Sequence, residues 1–388
     1  ASQHALKTYP GTQALGYSRA GRIAIPSIMF GANRCADAQA GGSSNGDREM
    51  QRRHLIAGSL AVAALPAFTL AQGIEKPKLT IAVGGKNLFY YLPLTIAEQL
   101  GYFKDEGLDV SIVDFAGGSR ALQAVVGGSA DVVSGAFEHT INMQFKGQPM
   151  RAFVLQGAAP QIVLGINPKT MPNFKGIADL KGKKIGVTAP GSSTNVMVNF
   201  VLAKAGLKPS DVSIVGVGAS NGAVAAMRSG QIDAISNLDP VITLLSRSGD
   251  LKVVTDTRKM AEAEQVFGGP MPAACLYAPQ GFVDKNPNTA QALANAIVRA
   301  NKWIQQAGGG DVIKVVPESY LMGDRAVYID GFLAAKQALS PDGMFPARGA
   351  QTAFRALASV DEKIAAAKLD LNAVYTNDFA RKANAKYK

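Results

Sequence analysis

The stretch that decides the fold is Ala121-Leu122-Gln123-Ala124-Val125-Val126-Gly127-Gly128-Ser129-Ala130-Asp131-Val132. Its pattern returns further along the chain as Ala225-Ala226-Met227-Arg228-Ser229-Gly230-Gln231-Ile232-Asp233-Ala234. Each stretch predicts a helix that closes on glycine and runs through a short polar turn into a strand, because glycine readily adopts the left-handed conformation that ends helices. The repetition predicts two similar lobes.

Around both stretches, short β-branched runs alternate with helical patterns, which is typical of α/β architecture with mainly parallel sheets. The first series predicts strands at 79–83, 110–115, 131–134 and 151–155, and helices at 92–103, 120–126 and 140–145. The second series matches it element for element, with strands at 184–188, 212–217, 233–236 and 251–254, and helices at 194–205, 223–228 and 241–246. After 268–270 the chain becomes mostly helical, and 289–306 is the clearest amphipathic helix.

The composition excludes several classes of protein. The 388 residues are 47% hydrophobic and 18% charged, which argues against a disordered or fibrous chain. The net charge of +11 is spread without a basic run, so a dedicated nucleic-acid binder is disfavoured. The two cysteines, Cys35 and Cys275, and the three histidines, which share no ligand spacing, predict no metal site and no cofactor. We expect Cys275 to be a buried core thiol.

An export signal is predicted near the beginning of the numbering. Arg52-Arg53 precede an uncharged apolar stretch at 55–70, and Thr69-Leu70-Ala71 offers small residues for cleavage. The apolar stretch is shorter than the roughly 20 residues needed to span a bilayer, so a signal peptide at 50–71 is favoured over an anchor. Residues 1–49 are then upstream translation or a disordered leader. The paired arginines fit a twin-arginine signal as well as an ordinary secretion signal.

Candidate ligand residues of the first series follow its strands, because open α/β sheets bind ligands at the carboxyl ends of their strands. After the first strand come Lys86, Asn87 and Tyr90, where Tyr90 either walls a ligand or covers the first helix. After the second strand, Gly118-Ser119-Arg120 opens a helix whose free amides hold an anion, unless Ser119 serves only as a helix cap.

The third strand of the first series is followed by Phe137, Glu138 and His139. Glu138 and His139 resemble an acid/base pair, yet adjacent residues on a helix point to different sides. A glutamate at a helix N-terminus is already explained by the helix dipole. Phe137 and Glu138 therefore remain candidate ligand residues only because they follow a strand, and catalysis is not predicted.

The second series contains the strongest anion-holding feature of the sequence, Ser192-Ser193-Thr194, where a helix opens directly after a strand. The loop lacks the Gly-Lys-Ser/Thr ending of a nucleotide P-loop. Ser220 and Asn237 follow the next two strands in the same way, and Asp239 is expected to cap the following helix.

The chain resembles the periplasmic solute-binding proteins of nitrate-, sulfonate- and taurine-type ABC importers, a group related to the yeast thiamine-pyrimidine synthases. The resemblance covers nearly all of 78–300. It rests on the segments Leu94-Thr95-Ile96-Ala97-Glu98-Gln99-Leu100-Gly101-Tyr102-Phe103, Glu106-Gly107-Leu108-Asp109-Val110, Asp179-Leu180-Lys181-Gly182-Lys183-Lys184-Ile185-Gly186-Val187, Pro190-Gly191-Ser192-Ser193-Thr194, Ala205-Gly206-Leu207 and Ser229-Gly230-Gln231-Ile232-Asp233-Ala234.

The resemblance implies a two-lobed periplasmic binding protein of type II, in which each lobe is a mostly parallel sheet flanked by helices and the lobes are joined by two hinge crossings. Lobe 1 would comprise 72–165 plus 271–388, and lobe 2 would comprise 166–270. The hinges would lie near 165–167 and 268–270. The family places its cleft at Lys86 to Tyr90, Gly118 to Arg120, Phe137 and Glu138, and Ser192 to Thr194.

The function implied is non-catalytic capture of a small anionic or heteroaromatic solute by a periplasmic monomer, which delivers the solute to an ABC permease in the inner membrane. The positive charges of Lys86 and Arg120 favour an anionic solute. The sequence leaves open a sulfonate, a nitrate-like ion, an aromatic carboxylate or a pyrimidine. Two alternatives are a periplasmic solute sensor and a pyrimidine-synthase-like enzyme, although the cysteine-rich iron motif of that enzyme is absent.

Overall fold

The computed structural model describes residues 73–388. The predicted leader at 1–49 and signal peptide at 50–71 lie outside the described residues. Every helix within 73–388 is too short or too polar to cross a membrane.

The described chain contains ten strands and fifteen α-helices. The strands are β1 (Lys78–Gly84), β2 (Asp109–Phe115), β3 (Val132–Ala136), β4 (Met150–Leu155), β5 (Val163–Ile166), β6 (Lys184–Val187), β7 (Ser213–Gly216), β8 (Ala234–Asn237), β9 (Lys252–Asp256) and β10 (Ala274–Pro279). The helices are α1 (Leu92–Gln99), α2 (Tyr102–Asp105), α3 (Gly118–Val126), α4 (Glu138–Phe145), α5 (Ser193–Lys204), α6 (Asn221–Arg228), α7 (Val241–Arg247), α8 (Met260–Phe267), α9 (Gln280–Lys285), α10 (Pro287–Gln306), α11 (Gly309–Val315), α12 (Arg325–Ala335), α13 (Gly349–Ala358), α14 (Glu362–Ala366) and α15 (Asp378–Lys386).

The strands form two five-stranded sheets, ordered β2-β1-β3-β10-β4 and β7-β6-β8-β5-β9. In the first sheet β1 is parallel to β2 and β3, whereas β10 is antiparallel to β3 and β4. In the second sheet β6 is parallel to β7 and β8, whereas β5 is antiparallel to β8 and β9. Each sheet is therefore mixed, with one strand running against the other four, and the predicted α/β class is confirmed.

The two repeated stretches occupy equivalent places in the two sheets. The turn after α3 contains Gly128 with φ of 76°, and the turn after α6 contains Gly230 with φ of 72°. The aspartate that follows each turn accepts a hydrogen bond from the backbone near the start of the neighbouring parallel strand, Asp131 from Thr80 N of β1 at 2.9 Å and Asp233 from Lys184 N of β6 at 3.0 Å. The shared pattern therefore encodes a glycine helix end and a carboxylate that ties the next strand to its neighbour.

Neither β5 nor β10 was predicted from the sequence. Because β5 begins at Val163, the first crossing between the sheets lies earlier in the chain than predicted. β5 and β10 each follow a crossing and insert antiparallel into the sheet that the chain has just entered. The chain enters the second sheet between Leu155 and Val163, so the predicted hinge at 165–167 falls within or directly after β5. The predicted helix at 92–103 is also divided, because Gly101 has φ of 76° and separates α1 from α2.

The two crossings are hydrogen-bonded to each other. Ile162 N donates to Thr257 Oγ1 at 2.9 Å, Thr257 Oγ1 donates to Ile162 O at 2.8 Å, and Gln161 N donates to Thr257 O at 3.0 Å. Closer to the first sheet, Gly157 N donates to Ala274 O and Ala273 N donates to Gly157 O, both at 2.9 Å. These bonds form a seam between 156–162 and 257–274, and we use the name hinge seam for it.

The segment after the second crossing packs mainly on the first sheet but also reaches the second lobe. α10 confirms the helix expected at 289–306, but its middle, 292–298, is buried on all sides and only its ends have an exposed face. α12 packs against α7 of the second sheet's layer, where Arg247 and Asp330 form an ion pair of 3.2 Å. On the other side of α12, Tyr328 packs edge-on against Phe89 at a ring distance of 4.6 Å.

Candidate functional site

A small cavity lies between the two sheets. Its walls come from the first lobe, from the second lobe and from both crossings, and the lining residues are Tyr90, Glu138, Pro160, Ile162, Ser193, Val196, Met197, Phe267, Met271, Pro272 and Ala273. Its free volume is about 10 Å³, which is room for roughly one water molecule. A solute the size of a sulfonate or a pyrimidine therefore enters only if the walls separate.

Glu138 supplies the acidic group of the cavity. It is the first residue of α4, which begins directly after the carboxyl end of β3, so the fold places its carboxyl where ligands of such sheets bind. The side chain is buried, and Oε1 has no hydrogen-bond partner among the described residues. Burial raises the pKa of Glu138 to about 7.

Tyr90 stands beside Glu138 in a 3₁₀ turn, Phe89–Tyr91, that precedes α1. It is buried, and burial together with the charge of Glu138 holds its pKa well above the ordinary value, so the phenol is a neutral hydrogen-bonding group. Its ring packs edge-on against Tyr91 at 4.9 Å. Tyr90 thus lines the cavity, while Phe89 and Tyr91 support it from the core.

The second lobe contributes Ser193, the first residue of α5. The two neighbouring hydroxyls have structural bonds instead: Thr194 Oγ1 accepts a hydrogen bond from Thr188 N at 3.1 Å, and Ser192 Oγ accepts one from Ser119 N at 3.0 Å. Of the three hydroxyls predicted in this loop, Ser193 alone lines the cavity.

Contacts between the lobes hold this cavity closed. Ser119 Oγ donates to Pro190 O at 2.9 Å, in addition to the bond between Ser119 N and Ser192 Oγ. Asn87 Nδ2 donates to Ala219 O at 3.0 Å, and Phe89 N donates to Asp239 O at 3.2 Å. Ser119, Ser192 and Asn87 therefore join the lobes to each other in this arrangement.

The two predicted cationic residues lie outside the cavity lining. Lys86 Nζ lies 2.6 Å from Glu98 Oε2, and its side chain is only 15% exposed. Arg120 is exposed on α3. The described residues that line the cavity include no lysine, arginine or histidine.

The remaining predicted residues have other surroundings. Phe137 is fully buried and packs against Phe345 at a ring distance of 5.3 Å. Gly118 is the first residue of α3 and directly precedes Ser119. Ser220 is exposed and lies directly before α6. Asn237 is buried, and its Nδ2 donates to Gly218 O at 3.1 Å.

His139 faces a different pocket from Glu138. Its Nδ1 lies 2.9 Å from the Tyr277 hydroxyl, and its ring lines a surface pocket with Ser119, Lys146 and Gly191. Burial lowers the pKa of His139 to about 4, so the ring is neutral at physiological pH. The two adjacent residues thus point into separate pockets, which leaves them unsuited to act as an acid/base pair.

Several lining residues were not predicted from the sequence. Pro160, Ile162, Phe267, Met271 and Pro272 come from the crossings or their ends. Their one sequence signal is the Gly268-Gly269-Pro270 break that marks the second crossing. Phe267 is held by a stacked contact with Phe200 at 4.9 Å.

We expect Glu138→Gln to change how stability depends on pH. A carboxyl with a pKa of about 7 in the folded state and 4.5 as its ordinary value must take up a proton on folding between these limits, because the unfolded chain has released it. Stability from this group is thus greatest below 4.5 and falls as pH rises towards 7, by about 3 kcal/mol. Denaturant unfolding of both proteins at several pH values gives their free energies of unfolding. The free energy of unfolding of the variant should rise relative to that of the wild type between about pH 5 and 8. If the free energies of unfolding of the two proteins depended on pH in the same way, a raised pKa of Glu138 would be contradicted.

The cavity presents no metal site, since residues 73–388 contain no group of three or more His, Cys, Asp or Glu side chains placed to hold an ion. Cys275 is buried beside Glu138, and burial raises the pKa of its thiol well above the ordinary value. The core location expected for this cysteine is confirmed.

A family model and several known proteins are similar to this chain. The sequence model of the family described as NMT1/THI5 like matches residues 88–307. A candidate binding protein of Brucella abortus is 32% identical over 258 residues, which are 66% of this chain and 74% of that protein. A solved structure of a Bordetella bronchiseptica protein is 64% identical, with a TM-score of 0.81 over 81% of this chain and 99% of that chain.

Two more distant structures share the fold. The alkanesulfonate-binding protein SsuA of Xanthomonas axonopodis, bound to MOPS, is 18% identical with a TM-score of 0.61 over 79% of this chain and all of that one. The periplasmic nitrate-binding protein NrtA of Synechocystis is 17% identical with a TM-score of 0.64 over 81% and 90%. A pyrimidine phosphate synthase of Schizosaccharomyces pombe is 27% identical over 157 residues, 40% of this chain and 43% of that protein.

Proposed function

The chain belongs to the NMT1/THI5-like family, and from this membership we propose that it is the exported solute-binding component of an ABC importer. It captures a small solute between its two lobes, 73–162 plus 274–388 and 163–256, and delivers it to a membrane permease. The observation that carries the proposal is the cavity between the sheets, whose walls come from both lobes and both crossings.

The geometry supports capture by closure. The cavity has room for about one water molecule, and the bonds from Ser119 and Asn87 join the lobes around it. A solute that enters must first break such contacts, and its own contacts with both walls then favour the closed form over the open one. The hinge seam provides the segment about which the lobes turn.

Of the two solute kinds expected from the sequence, the lining supports a heteroaromatic solute more than an inorganic anion. Phe267, Met271, Pro160 and Tyr90 offer apolar and aromatic surface. The cations that favoured an anion are elsewhere, because Lys86 pairs with Glu98 and Arg120 is exposed. The sulfonate and nitrate binders share the fold with this chain, and their ligands belong to the panel of compounds to be tested.

The two alternatives make different demands. A pyrimidine-synthase-like enzyme of the related group would need the cysteine-rich iron motif, and within 73–388 the single cysteine, Cys275, is buried with a neutral thiol. A periplasmic sensor would use the same closure but present it to a receptor. Permease and ATPase genes beside this gene would favour the importer over the sensor.

The proposal predicts that a solute of one class raises the melting temperature of the full chain in a saturable manner. Ligand that binds only the folded state stabilises it by about 3 kcal/mol at a hundredfold excess over Kd. The panel contains sulfonates, inorganic anions, aromatic acids, pyrimidines and amines. Ser193→Phe, which fills the cavity from α5, should abolish the shift.

The matched control is Ser220→Phe, which adds the same ring at an exposed helix start outside the cavity lining. This variant should retain the full shift. Loss of the shift in both variants, or its survival in Ser193→Phe, would contradict binding between the lobes. No shift with any member of the panel would contradict the proposal.

A further inference from the structure

One oxygen of the acidic group of the cavity has no partner. Glu138 is 2% exposed and lines the cavity, and its Oε1 receives no hydrogen bond from any described residue. A buried polar atom without a partner costs free energy, so buried polar groups in folded proteins are nearly always bonded. An exception inside a ligand cavity indicates that the partner arrives with the ligand.

No cation of the described chain is placed to serve as that partner. Lys86 is paired with Glu98. Arg258, the other cation with a well-buried side chain on the lobe interface, is paired with Asp239 and Asp256. His139 is neutral and bonds through Nδ1 to Tyr277.

The groups that surround Glu138 from the neighbouring elements are all neutral. The 3₁₀ turn contributes Tyr90 and Tyr91, and β10 contributes Cys275 and Tyr277, each with a pKa that burial raises above its ordinary value. From the second lobe, α5 contributes the hydroxyl of Ser193 to the opposite wall. The ionised carboxyl would thus be the single charge in the cavity.

We infer that the solute presents a nitrogen-bound hydrogen, as an amine, an ammonium or an amidine, to the Glu138 carboxyl, while the apolar wall covers the rest of the molecule. The inference rests on the proposed function, whose solute class it narrows. A hydrogen bond from a charged donor to a carboxylate is roughly twice as strong as one between neutral groups, so the nitrogen would dominate recognition. A solute that offers acceptors alone would meet the carboxylate with repulsion.

The test compares ligand pairs that differ in the nitrogen donor. The pairs are taurine against ethanesulfonate and benzamidine against acetophenone, and binding to the full chain is measured by titration calorimetry. In wild type the nitrogen-bearing member should bind at least tenfold more tightly than its partner, and its affinity should rise as pH increases through 7. Glu138→Gln should remove both the preference and the pH dependence, and Glu138→Asp, which keeps the charge, should retain the pH dependence.

The outcomes separate this inference from the proposed function. Tight binding of ethanesulfonate, acetophenone or another acceptor-only member of the wider panel, unchanged in Glu138→Gln, would overturn the inference and leave solute capture standing. Absence of binding by every compound of that panel would overturn the proposed function and this inference with it. Circular dichroism of each variant verifies that a loss of binding does not reflect unfolding.

Discussion

Gly84→Ala is expected to destabilise the protein by more than about 4 kcal/mol. A Cβ atom at Gly84 would lie 2.2 Å from both the carbonyl carbon of Gly117 and the amide nitrogen of Gly118. Both obstacles are backbone, so a side-chain rotation does not relieve the clash. Denaturant unfolding followed by far-UV circular dichroism measures the loss.

The position matters because the end of β1 and the start of α3 meet there. Their close approach places Ser119 where it bonds to Ser192 of the other lobe. Gly310→Ala is the matched control, since Gly310 lies inside α11 with no heavy atom within 4 Å of the added carbon. That variant should gain roughly 0.5–1 kcal/mol from helix propensity. Equal unfolding midpoints for the two variants would refute the steric argument.

Arg258→Met is expected to cost about 3–5 kcal/mol, because it removes the guanidinium that compensates a buried carboxylate. Asp239 is 1% exposed, and its Oδ2 lies 3.2 Å from Arg258 Nη1. Arg258 Nη2 also lies 2.6 Å from Asp256 Oδ2, so one guanidinium forms ion pairs with two carboxylates. Burial raises the pKa of Asp239, and Arg258 acts against that rise.

The pH dependence of the Arg258→Met variant follows from that balance. Without the guanidinium the pKa of Asp239 rises further in the folded state, so the folded variant holds a proton that the unfolded chain has released. The deficit relative to wild type should therefore be larger at about pH 8 than at about pH 5. The double variant Arg258→Met with Asp239→Asn should recover most of the loss, since Asn keeps an oxygen for the Thr243 amide. A deficit independent of pH and of the second substitution would contradict the ion-pair explanation.

Much of the fold follows from patterns that are local in the sequence. The repeated stretches end in glycines at left-handed turns and in aspartates, Asp131 and Asp233, that bond to the backbone of their neighbouring strands. Local patterns do not reveal β5 and β10, since short apolar runs next to Gly and Pro read as linkers. Their antiparallel pairing depends on partners distant in sequence, such as Leu164 with Ser236.

The candidate site is predicted in part for the same reason. Tyr90, Glu138 and Ser193 were found because they follow strands, and the carboxyl ends of strands meet at one edge of a sheet. Lys86 is expected from the sequence to face a ligand, yet it forms an ion pair with Glu98 of α1. Which of these two directions the lysine side chain takes is not visible in the sequence. The apolar lining from Ile162 to Met271 carries no chemical pattern that distinguishes it from core.

The hinge seam bears on selectivity as well as on motion. Thr257 bonds to Ile162 through both its hydroxyl and its backbone, and Ile162 in turn lines the cavity. Under the proposed capture by closure, a pivot of this kind would restrict the lobes to turning about a single line, so that Tyr90 and Ser193 would return to the same facing positions at each closure. The discrimination between similar solutes would then depend on the alignment of this pivot, and residues such as Thr257 that do not line the cavity would help to determine which molecules are accepted.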